Sequence, residues 1–146
     1  MSSLLIACAD AVVAELNAGT WSQTVTAQRV FIFEPQRKDL EVSDPPLVAV
    51  RGYSIEPKRE TRGKVQSAIV VEVCVMKGLA NVTTASVDPF VALLEEIATH
   101  FHSQRLANRT AALVDKAIVD PPYDEKDLSE RDQFTGVVRL EITDRT

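Results

Sequence analysis

The chain has 146 residues, 45% of them apolar and 25% charged, with a net charge of −5. That length and balance fit one globular domain able to bury roughly 68–70% of its unfolded surface. They speak against a disordered chain, a disulfide-stapled miniprotein and a generic nucleic-acid binder, which carries a basic surplus to neutralise phosphates.

Residues 3–17 predict a helix, with Leu5, Cys8, Val12 and Leu16 on one stripe and Asp10 and Glu15 off it. Asn17-Ala18-Gly19 reads as its stop. The opening "LIAC" resembles a lipoprotein cleavage box, but no basic residue precedes it and the apolar run before Cys8 is short, so lipidation is not expected. Residues 23–33, "QTVTAQRVFIF", predict a strand. A polar, proline-bearing loop follows over 34–46, a length that usually signals a role in contacts.

Residues 47–55 predict a second strand and residues 65–77 a third. In the third, Val65, Ile69, Val71, Val73 and Val75 share one face, and Gln66, Glu72 and Met76 the other. Between them stands "KRETRGK", residues 58–64, expected as the projecting link of a hairpin over 56–64. Over 51–64 five basic residues face two acidic ones, a local charge of +3 in an acidic protein.

A helix is predicted over 88–106, with Asp88 as N-cap, Pro89 at its first position and Phe90, Leu94, Ile97 and Phe101 buried. Residues 110–119 predict a strand, Pro121-Pro122-Tyr123 a break, and "DEKDLSERD" an acidic stretch holding one helical turn. Residues 120–132 carry a local charge of −4, to which Asp124, Glu125, Asp127 and Glu130 contribute. The last strand, 133–143, sets Phe134, Gly136, Val138, Leu140 and Ile142 against Gln133, Thr135, Arg139, Glu141 and Thr143. The expected fold is α+β: a mainly antiparallel or mixed sheet of about five strands with two helices packed on one face, in a single domain spanning 1–146.

Chemistry is thin on the ground. His100 and His102 on one helix would point about 200° apart and cannot share a metal. Glu95 and Glu96 diverge by about 100°, unfit for a paired acid and base. Cys8 and Cys74 sit in apolar segments and read as buried, reduced thiols. No phosphate loop, nucleophile elbow or calcium loop is present. Asn81-Val82-Thr83 and Asn108-Arg109-Thr110 match glycosylation sequons, which carry meaning only in a secreted chain. No run approaches the ~20 apolar residues of a membrane span. The chain is therefore read as non-enzymatic, with no cofactor, metal or membrane partner.

Several stretches taken together resemble tail terminator proteins of long-tailed bacteriophages, also called tail-completion or neck proteins. They are "AVVAELNAG" followed by Trp21-Ser22, "KRETRGKVQSAIVVEVCV", "VDPFVALLEEIATHFHSQRLA", and "PPYDEKDLSERDQFTGVVRLEIT", in which Pro-Tyr, a spaced Leu and Gln-Phe-Thr lead into the final strand. The resemblance implies an α+β subunit of a six-membered ring in the virion. The ring would sit on the last ring of the tail-tube protein, stop its growth and offer its other face to the head connector, with DNA passing through the lumen. It makes the 34–46 loop and the hairpin natural contact arms.

A ring is a head-to-tail assembly in which two different patches meet. Lys58, Arg59, Arg62 and Lys64 on one side and residues 124–132 on the other are the candidate patches. A nucleic-acid module using the same hairpin is the rival reading, weakened because only Tyr53 stands near the basic residues. A small enzyme or ligand-binding domain would need a convergent pocket that the sequence does not offer. A different neck ring, such as a head-completion protein, is an alternative that composition does not exclude.

Overall fold

The computed structural model describes residues 3–33, 45–61 and 64–145, with the side chains of 59–61 and 64 excepted. Nine elements run in the order α1 (Leu4–Ala18), β1 (Thr26–Arg29), β2 (Leu47–Thr61), β3 (Lys64–Gly78), α2 (Thr84–Phe101), β4 (Arg105–Leu106), β5 (Arg109–Val119), α3 (Glu125–Arg131) and β6 (Gln133–Arg145). The strands form one mixed sheet in the order β1-β2-β3-β6-β5-β4, antiparallel except for the β1–β2 pair. The α+β expectation holds, with six strands and three helices among the described residues rather than five and two.

The sheet is built on β3 and β6, because these two strands alternate most cleanly. They pair from Gln66↔Arg145 to Gly78↔Gln133 without a register shift. Ile69, Val71, Val73 and Val75 meet Phe134, Val138, Leu140 and Ile142 on one face, all buried. Helix α1 covers that face with Cys8, Val12 and Leu16, and α2 with Phe90, Leu93, Leu94, Ile97 and Phe101. Two glycines permit the close approach. A Cβ on Gly52 would stand 2.6 Å from Leu5 Cγ, and one on Gly136 would stand 2.8 Å from the Pro122 carbonyl oxygen.

Three boundaries differ from the sequence expectation. First, β1 covers only Thr26–Arg29 of the predicted 23–33 strand. Val30 still donates its N–H to the Val50 carbonyl at 2.8 Å, and the side chains of Val30 and Phe33 pack on the other face, against Ala49, Cys74 and Met76. Second, α2 begins at Thr84 rather than Asp88. The Thr83 hydroxyl accepts the Ser86 N–H at 3.2 Å while the Ser86 hydroxyl accepts the Thr83 N–H at 2.9 Å, a reciprocal cap. Pro89 then lies inside the helix, where its missing N–H would leave the Ala85 carbonyl, and Ala85 is exposed to water. The helix stops at Phe101, and Arg105–Leu106 turns into β4. Third, the hairpin link of about nine residues is mostly strand: β2 runs to Thr61 and β3 starts at Lys64. The long polar loop lies outside the described residues over 34–44.

The outer strands carry irregularities. Tyr53 is left unpaired by a bulge between Gly52 and Ser54, and Asp115 by one between Val114 and Lys116. Pro57 stands in β2 opposite Ser67. Beyond Val50, β2 has no strand on its outer side among the described residues.

One charged group lies fully inside. Asp144, 0% exposed, accepts Arg109 Nε at 2.5 Å and Arg109 Nη2 at 3.2 Å. The Cys8 thiol donates to the same carboxylate at 3.5 Å.

Candidate functional site

Lys58 and the acidic helix α3 sit at opposite ends of the sheet. Lys58 pairs in register with Gln66, and Gln66 with Arg145, at the hairpin end. Helix α3 ends one residue before β6, whose first residue, Gln133, pairs with Gly78 at the other end. The 12 steps of β3 from Gln66 to Gly78 span roughly 40 Å at strand rise. Lys58 and helix α3 do not meet within one chain.

Lys58 is exposed. The side chains of Arg59 and Lys64, and Arg62 altogether, lie outside the described residues. The acidic four divide by role. The Asp124 side chain accepts the Asp127 N–H at 3.0 Å and caps α3. Asp127 is 3% exposed and ion-paired with Arg131 one turn on. Both are therefore tied into the helix itself. Glu125 and Glu130 remain exposed, with Lys126 and Ser129 between them. The left-handed Asp132, φ 48°, ends the helix and turns the chain into β6.

The face of the sheet away from α1 and α2 holds an arrangement that sequence reading missed. The guanidinium of Arg51 lies 4.4 Å from the Phe33 ring centroid and 5.5 Å from that of Tyr53. The guanidinium of Arg139 lies 5.4 Å from the same Tyr53 ring. Glu72 stands in register between the two arginines. Its Oε1 accepts Arg51 Nε at 2.9 Å and Nη2 at 2.7 Å. Arg139 Nε is buried without an acceptor. The signal in the sequence was the alternation Ala49-Arg51-Tyr53, hidden because Tyr53 is the bulged residue and Phe33 comes from a different segment.

The histidines diverge as their spacing requires. His100 Nε2 lies 2.7 Å from Glu15 Oε2 and the ring packs edge-on against Trp21 and Phe101. His102 Nδ1 accepts the Ala117 N–H at 3.3 Å. Both serve packing between elements. Among the described residues, no group of three His, Cys, Asp or Glu side chains is placed to hold a metal ion, and no helix is long and apolar enough to cross a membrane.

Both cysteines are free and buried. Burial pushes the Cys8 thiol up to about 12 from 9.0, helped by the neighbouring Asp144 carboxylate, and burial likewise pushes Cys74 up to about 12. A neutral, sealed thiol is a poor nucleophile. The native protein is expected to leave both thiols unlabelled by a thiol-disulfide exchange reagent at pH 8, whereas the unfolded chain exposes both. Because the folded values lie above the unfolded one, the stability these thiols lend is complete below pH 9.0 and is lost as pH rises toward about 12. Urea titrations at pH 8 and 10.5 check the sign.

No family model matches the chain, and no curated protein matches it. Among solved structures it is similar to the sheath/tube terminator of an extracellular contractile injection system (PVC) in the extended state. The TM-score is 0.40 and the identity 10%, over 100% of this chain and 57% of the other, so the chain spans little more than half that protein's length. A likeness at that score carries no argument about function.

Proposed function

We propose that the protein is a structural subunit of a phage-like tail. It forms a homo-oligomeric ring, six-membered by the resemblance of its sequence to tail terminators, at the head-proximal end of the tail. There it ends growth of the tail tube and joins the tube to the head connector. DNA crosses the lumen without sequence-specific contact, and the protein resides in the virion after assembly in the host cytoplasm.

One observation supports this above the others: Lys58, at the hairpin end of β2, and the acidic helix α3 stand at opposite ends of one sheet, roughly 40 Å apart. Two complementary patches too distant to meet in one chain are what a head-to-tail contact between copies, or between stacked rings, requires. Such complementarity sets register and encounter rate more than affinity.

Reversing two charges tests the reading. The double variant Arg59→Glu, Arg62→Glu is expected to shift purified rings toward monomer in light scattering and to reduce joining of tails to heads at least about tenfold. The wild-type contact is expected to weaken as salt rises above the physiological range. Full-size rings and full joining in the double variant would reject the proposal.

A further inference from the structure

Both histidines of the chain stand at the end of α2, on either side of Phe101, and a proton acts on them in opposite senses. His100 Nε2 lies 2.7 Å from Glu15 Oε2, so a proton there adds charge to a contact already made. His102 is different. Its Nδ1 accepts the Ala117 N–H of β5 at 3.3 Å. A backbone amide only donates, so Nδ1 is the unprotonated nitrogen of this ring and Nε2 carries the hydrogen. An imidazolium has a hydrogen on both nitrogens and accepts nothing. The bond to Ala117 therefore exists only while the ring is neutral.

The backbone brings this ring to the strand. His102 is the C-cap of α2, and its N–H is held by the Ala98 carbonyl at 2.9 Å. Ser103 turns left-handed, φ 58°, uncommon outside glycine, and the Gln104 N–H closes back on the Phe101 carbonyl at 3.1 Å. The Gln104 carbonyl then accepts the Val114 N–H at 2.8 Å. Two bonds thus fasten the turn to β5. One joins two backbone groups, which do not titrate. The other ends on an imidazole, a group whose charge changes between about pH 5 and 8. His102 is exposed, so a proton reaches it without any movement of the fold.

We propose that His102 is a proton-operated latch between α2 and β5. With the ring neutral, it caps the Ala117 amide. As pH falls and the ring gains its charge, the latch opens and the Ala117 N–H turns to water. The Val114–Gln104 bond keeps the turn in place. Acid thereby loosens the end of α2 from β5 while the Glu15–His100 contact still ties it to α1. The latch works in a single chain, whether or not copies form a ring.

Charged side chains stand on each element around the ring. On β5, the Asp115 carboxylate accepts the Thr143 hydroxyl, and Lys116 is in register with Glu141 of β6. Arg105, on β4, donates to the Thr110 carbonyl at 3.0 Å. Glu15, on α1, is shared between His100 and the Ala107 N–H. Among the described residues, none of these is bonded to the His102 ring, so its own proton decides the Ala117 bond.

Nitrogen-15 NMR of the full chain tests this. At pH 8 the His102 ring is expected as the Nε2–H tautomer, and the variant His100→Gln, which leaves one histidine, confirms the assignment. The protection of the Ala117 amide from hydrogen exchange is corrected for the intrinsic effect of pH and taken relative to Val114. It is expected to fall at least about fivefold between pH 8 and pH 5. In His102→Phe, which keeps a ring but no acceptor, it is expected to be low at both. An Nδ1–H tautomer, or Ala117 protection that ignores pH, would overturn the latch. So would a His102→Phe variant as protected as wild type at pH 8, or an equal loss at Val114, the mark of the whole turn coming away.

Discussion

Replacing Arg109 with methionine is expected to destabilise the fold by about 3–5 kcal/mol, as removal of one partner of a buried ion pair does. The reason is Asp144. It is 0% exposed, and its two oxygens are held by Arg109 Nε and Nη2. The pairing also holds the guanidinium above its usual range, chiefly through these hydrogen bonds. Without the arginine, only the weak Cys8 thiol donor remains on a carboxylate shut away from water. The double variant Arg109→Met, Asp144→Leu is expected to recover most of the loss, because two apolar side chains leave no charge stranded. Urea unfolding of the two variants side by side checks this. A single variant within about 1 kcal/mol of wild type would show that water reaches Asp144 after all.

Truncating Phe134 to alanine is expected to cost about 3–5 kcal/mol. The ring is fully buried, 5.6 Å from that of Phe90 at 38°. It also stands against Gly136, whose missing side chain admits Leu94 of α2. The cavity would therefore open where α2 lies on β6. Phe134→Leu keeps much of the volume and is expected to lose only roughly 1–2 kcal/mol. Helical and aromatic circular dichroism should fall together in both, as one cooperative core requires. If the helical signal of the alanine variant outlived the aromatic one, α2 would not depend on this contact.

What could be read from the sequence follows from where the solvent lies. Strands β3 and β6 were legible because one of their faces is sealed by helices and the other is mixed, so Ile69 to Val75 and Phe134 to Ile142 alternate against polar neighbours. Val30 to Phe33 misled because β-branched and aromatic side chains suit a cover over a sheet as well as a strand within it. The ends of β2 and β3 were hidden for the opposite reason: Glu56, Pro57 and Lys58 are exposed, so no apolar alternation marks a ladder that the backbone nonetheless continues. The start of α2 was obscured because Thr83 and Ser86 cap each other, while Asp88-Pro89 offers the more familiar signature. The Phe33–Arg51–Tyr53–Arg139 strip depends on contacts between distant segments, which residue order does not encode locally, whereas the Asp127–Arg131 pair one turn apart was there to be read.

The bulges at Tyr53 and Asp115, together with Pro57, bear on how folded copies behave toward one another. A long sheet with two clean borders would recruit its own kind, strand upon strand, into fibres. Here one border is kinked at Tyr53 and lacks an amide proton at Pro57, and the other is kinked at Asp115 and has its Ala117 amide taken by His102. Folded copies are therefore expected to resist pairing edge to edge when concentrated. Contact with any neighbour then falls to side chains, which can refuse a wrong one.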